Sequence, residues 1–102
     1  MTILQMRFCE FLRHRRESLG LAQKVIAEAI SVDVPMYSRY ERGQRPLKEE
    51  YIPLIASKLK VSCSTLRQMW IADKIFNFVS GEENVKQILN IVADNIIDSI
   101  NE

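Results

Sequence analysis

The stretch SVDVPMYSRYERGQRP, Ser31 to Pro46, holds the side chains best suited to a definite chemistry. Arg39 carries a planar guanidinium whose fork matches the O6 and N7 acceptors of guanine. With Met36, Tyr37 and Tyr40 pointing inward from a helix, Val34, Pro35, Ser38, Arg39 and Arg42 share its outer face. Other chemistries find little support. His14 is the sole histidine, flanked by arginines and without a second nitrogen or a thiolate nearby in sequence, so no metal site is expected. The chain shows no glycine-rich phosphate loop, no nucleophile and base set, and no carboxylate pair at useful spacing, which argues against an enzyme. Cys9 and Cys63 lack CxxC spacing and read as reduced packing residues. Trp70, Phe76 and Phe78 lie at helical spacing and read as core or interface, so neither a cofactor nor a small-molecule ligand is implied.

The elements that must hold Arg39 are helical. A first helix presents Phe8, Phe11, Leu12 and Leu19 on one face and stops at Gly20, which takes the left-handed cap conformation readily. A short second helix has Val25, Ile26, Ala29 and Ile30 on its apolar side and Gln23 and Lys24 at its exposed start. Asp33 can cap the third helix, where Pro35 is tolerated because first-turn N–H groups have no helical partner. That helix is expected to run to about Arg42 and to end at Gly43. Ile52, Ile55, Ala56 and Leu59 form the stripe of a fourth helix, with Pro53 near its start. Ser62 or Ser64 can cap a fifth, which contains Leu66, Met69, Trp70, Ile75 and Phe76. VSGEEN then interrupts the pattern, and Asn84 to Ile100 forms a sixth, amphipathic helix. The expected fold class is all-α, five helices in residues 1–80 plus a C-terminal helix in residues 81–102.

The chain has 102 residues, 47% hydrophobic and 26% charged, which suits one small domain with an appended element. Its net charge of +1 conceals an asymmetry. Residues 1–80 carry thirteen Lys/Arg against eight Asp/Glu, whereas residues 81–102 carry Lys86 against Glu82, Glu83, Asp94, Asp98 and Glu102. A basic body followed by an acidic tail suits a body that meets polyanions. No apolar run approaches the ~20 residues of a membrane span, and the first residues lack the pattern of a signal peptide, so a cytoplasmic protein without membrane contact is expected.

Two short helices joined by about three residues, with a basic outer face on the second, have the proportions of a helix-turn-helix. Such a unit suits double-stranded DNA because a helix fits the major groove, where base edges present distinguishable donors and acceptors. The segment LRHRRESLGLAQKVIAEAISVDVPMYSRYERGQRP, Leu12 to Pro46, resembles the phage repressor and Cro-like regulators, the xenobiotic-response-element family. PLIASKLKVSCSTL, Pro53 to Leu66, continues the likeness, which covers roughly residues 6–70.

The resemblance implies DNA binding without enzymatic activity. It makes Gln23 a phosphate or base contact, and sets Val34, Pro35, Ser38 and Arg39 where base edges are read. It puts Arg42, Gln44 and Arg45 on the neighbouring phosphates, which set register and affinity rather than specificity. It also pairs Arg16 with Glu41 in a partly buried structural salt bridge. Three positions depart from the family pattern. Ser31 stands where glycine is usual, at a cost of roughly 1 kcal/mol if left-handed, which leaves room for a turn of another shape. Val34 and Pro35 replace polar side chains and can touch a thymine methyl and little else, so preference rests on Arg39, DNA shape, or both. Tyr37 replaces an aliphatic residue, and its hydroxyl needs a partner or an exit to solvent.

The sixth helix lies beyond the part that the family resemblance covers. Val85, Ile88, Leu89, Val92, Ala93, Ile96 and Ile100 gather on one side of it, with Ile91 and Ile97 at the margins. That stripe exceeds what folding back on Phe76 and Val79 can cover, so a homodimer through residues 75–100 is expected, with Ile75, Val85, Ile88, Leu89, Val92, Ile96 and Ile100 in its interface. The expected function is a sequence-specific transcriptional regulator on a palindromic operator, of the kind encoded beside phage or restriction-modification genes. The alternative is an antitoxin or complex subunit whose main role is to bind another protein.

Overall fold

Residues 6–101 are described by the computed structural model, and every regular element among them is helical. The order is α1 (Phe8–Ser18), α2 (Gln23–Ala29), α3 (Val34–Glu41), a 3-10 turn (Glu49–Tyr51), α4 (Ile52–Leu59), α5 (Cys63–Val79) and α6 (Val85–Asn101). The first five helices enclose one core. Phe11 and Leu12 of α1, Ile26 of α2, Tyr37 of α3, Ile55 and Leu59 of α4 and Leu66 of α5 are all fully buried. At about 1.5–3 kcal/mol for each large apolar side chain, these residues dominate what holds the bundle together.

Local chemistry sets the helix ends. Gly20, at φ +69°, follows α1 and lets the Leu21 N–H reach the Arg16 carbonyl at 3.1 Å. Ser62 caps α5, its Oγ accepting from the Thr65 N–H at 2.9 Å. Ser31 does take the left-handed conformation, at φ +59°, so the turn between α2 and α3 keeps the shape that glycine would favour. The closing bonds explain this: the Ser31 N–H reaches the Glu28 carbonyl at 3.2 Å and the Val32 N–H reaches that of Ala27 at 3.0 Å. Those bonds, with the burial of Ile30 beside them, offset the steric cost of about 1 kcal/mol at a serine.

Three long-range contacts tie the helices together. Arg15 donates from Nε to the Leu59 carbonyl at 2.8 Å and from Nη2 to that of Lys60 at 3.3 Å, placing a cation on the last carbonyls of α4. Trp70 Nε1–H donates to the Leu47 carbonyl at 2.8 Å and fastens the loop after α3 to α5. Arg7 donates to Asp73 at 2.7 Å and to Asn77 at 2.9 Å, with its guanidinium 4.2 Å from the centre of the Phe76 ring. The hydrogen bond to Asp73 raises the Arg7 pKa above its ordinary value.

One sequence expectation needs correction here. Cys63 is not a packing residue: it opens α5 and is exposed. Cys9 is half-buried, and both thiols are free. Phe76 is half exposed, with the Arg7 guanidinium over its ring. No residue of α6 is buried, and partial burial along it is confined to Val85 and Ile88. Leu89, Val92, Ile96 and Ile100 are exposed, as are Ile75 and Phe78 near the end of α5, Phe78 at 89%. The radius of gyration is 15.6 Å, against about 13 Å for a compact chain of this length, as a helix standing off the bundle requires.

Candidate nucleic-acid interface

Asp33 precedes α3 and its carboxylate accepts from the Met36 N–H at 2.8 Å. Pro35 sits in the first turn, where its missing N–H breaks no helical bond. This start orients the rest of the helix. Tyr37, Tyr40 and Glu41 turn inward and are buried, and Met36 is half-buried. Val34, Pro35, Arg39 and Arg42 face solvent, with Ser38 half-buried between them. Arg39 makes no side-chain hydrogen bond or ion pair among the described residues, whereas Arg42 donates from Nε back to the Ser38 carbonyl at 3.3 Å. Arg39 is therefore the cation most available on the outer face.

The loop after α3 is held close to the bundle. Gly43 has φ +70°, and a Cβ at that position would lie 3.2 Å from Cys9 Sγ, so glycine suits both the backbone and the approach to α1. The Gln44 N–H donates to the Arg39 carbonyl at 2.9 Å. Gln44 and Arg45 project into solvent just past the helix end, and Arg45 makes no side-chain hydrogen bond or ion pair among the described residues. Lys48 adds an exposed cation to the same loop that the sequence reading did not include. Its nearness to Arg45 in sequence was the available signal.

Behind this face, Arg16 locks three elements. It donates from Nε to Glu41 Oε2 at 2.7 Å, from Nη2 to Glu41 Oε1 at 3.1 Å, and from Nη1 to the Leu21 carbonyl at 2.7 Å. The hydrogen bonds to Glu41 raise the Arg16 pKa and keep the pair ionised. Gln23 joins the same cluster. Expected to be exposed, it is half-buried, and its Nε2 donates to Glu41 Oε1 at 3.3 Å. The carboxylate draws that amide inward because Glu41 Oε1 has room for a second donor.

Tyr37 finds neither of the two outcomes expected for it. Its ring is fully buried, and its hydroxyl has no hydrogen-bond partner among the described residues. Burial pushes its pKa well above the ordinary tyrosine value, and the charge of Glu41 adds to this, although no hydrogen bond of good geometry joins the two.

The described residues contain no cluster of three or more His, Cys, Asp or Glu side chains that could hold a metal ion, and no described helix is long and apolar enough to cross a membrane. What the surface presents is a short helix with an exposed arginine, followed by a loop of polar and cationic side chains. No curated protein and no solved structure matches the chain. A helix-turn-helix family profile matches residues 12–66, more than half of the chain, from α1 into the start of α5. The chain therefore belongs to the repressor-like helix-turn-helix family of DNA-binding transcriptional regulators.

Proposed function

We propose that this protein is a cytoplasmic regulator that binds a two-fold symmetric operator as a homodimer, with α3 in the major groove. The observation that carries this reading is the outer face of α3, where Arg39 is exposed without a partner among the described residues. In the groove, Arg39 pairs with guanine, while Val34, Pro35 and Ser38 meet neighbouring base edges. Arg42, Gln44 and Arg45 hold the flanking phosphates, and Gln23 adds a contact from the start of α2 with the part of its amide that Glu41 does not engage. The dimer follows from the uncovered apolar stripe of α6, continued by Ile75. A second copy covers that stripe and sets two recognition helices about 34 Å apart, as adjacent half-sites require. Residues 1–80 act as the DNA-binding unit in this reading, and residues 81–102 as the dimerisation element.

The same stripe supports a second reading, in which α6 binds a different protein, as in an antitoxin or complex subunit. Selection of bound sequences from random duplexes, paired with light scattering on the full chain, separates the two. A dimeric mass and an enriched two-fold symmetric site support the regulator. A monomer at micromolar concentration that enriches no site overturns it.

A further inference from the structure

The first turn of α3 has little left with which to hydrogen-bond. Its Met36 N–H is taken by the Asp33 carboxylate at 2.8 Å, and its Tyr37 N–H by the Asp33 carbonyl at 3.1 Å. Pro35 has no N–H. Of the first-turn N–H groups, that of Val34 alone has no partner among the described residues, and neither Val34 nor Pro35 carries a polar side-chain atom. The Asp33 carboxylate caps the helix through Oδ1. Yet both aliphatic side chains are turned to solvent, Val34 at 38% exposure.

Resting on the DNA reading above, we infer that Val34 and Pro35 form a recognition patch for the methyl group of a 5-methylpyrimidine. In the major groove the apolar feature of a base edge is a C5 methyl, which thymine carries and cytosine carries only when methylated. Burial of that methyl between Val34 and Pro35 removes apolar surface from water on both partners. Register narrows the place. Pro35 and Arg39 are four residues apart and so share a helix face, with a rise between them of about 6 Å. At ~3.4 Å per base along one strand, the methyl lies within about two base pairs of the guanine that Arg39 reads.

The test starts from the selected duplex and replaces each dT by dU in turn, which deletes one methyl and leaves the Watson–Crick edge intact. Fluorescence anisotropy is expected to show an affinity loss of about fourfold, the worth of one buried methyl, at one thymine in each half-site. Val34→Ala, an exposed position whose change leaves the core untouched, is expected to lower affinity for the dT duplex and to shrink the dT to dU difference towards unity. Cytosine at the same position is expected to bind more weakly than thymine, and 5-methylcytosine to recover about fourfold over cytosine. Neutral dU at every position, an undiminished dU effect in Val34→Ala, or no recovery with 5-methylcytosine overturns the patch while leaving DNA binding intact. Failure to enrich any site overturns both readings.

Discussion

Arg16 and Glu41 form a two-pronged ion pair, with N–O distances of 2.7 and 3.1 Å and a Glu41 side chain only 1% exposed. Removing either partner strands a charge in the bundle, so Arg16→Ala and Glu41→Ala are each expected to cost on the order of 3 kcal/mol in urea unfolding. The double mutant is expected to cost clearly less than the sum, because the second change removes the group that the first left unpaired. Simple additivity in the cycle would mean that the two side chains do not act on each other.

Tyr37, one turn before Glu41 on α3, buries a hydroxyl that no described residue satisfies. Tyr37→Phe is expected to raise stability by about 1 kcal/mol, since it deletes the polar atom and keeps the ring. The pH dependence has a definite sign. A phenol whose folded pKa is raised favours the fold while protonated, so its contribution is intact below about pH 10 and is lost as pH rises beyond it. Urea melts of the two proteins near neutral pH and again above about pH 10 are expected to diverge, the wild type losing stability faster. Parallel behaviour would remove Tyr37 as the source.

Arg39 and Arg45 are expected to fail in different ways. Arg39→Ala should lower affinity for the preferred site by about 1–3 kcal/mol and barely change binding to random DNA. Arg45→Ala should weaken all sequences alike and reduce the slope of log K against log salt by about one. Anisotropy titrations across several salt concentrations read both. Equal loss of specific and random binding in Arg39→Ala would end its base-reading role.

A chain stopped after Gly81 retains every fully buried residue of the core and loses the whole of α6. It is expected to remain folded, to become monomeric and to lose most specific affinity, because a monomer engages only one half-site. Circular dichroism, light scattering and anisotropy together check this. A truncated chain that still dimerises would place the interface elsewhere.

Much of the fold is local and so was legible in the sequence. Asp33 and Pro35 announce the start of α3 because a carboxylate can cap N–H groups that a proline does not need. Ile52, Ile55, Ala56 and Leu59 announce the buried stripe of α4 because helical periodicity places them on one side. The outer face of α3 followed from the same geometry once Tyr37 and Tyr40 were assigned to the interior. Tertiary structure decided what depends on surfaces meeting. Arg7 reaches Asp73 across 66 positions, and Arg15 caps α4 across 44, relationships that no periodicity encodes. Gln23, polar and at a helix start, read as exposed, yet Glu41 of another helix draws its amide inward. Ser31 has a poor intrinsic preference for φ +59°, and the packing of α2 against α3 overrides it. The amphipathic pattern of α6 was plain from its residues, but only the assembled chain shows that the bundle leaves its apolar stripe uncovered, because α5 carries it beyond the core.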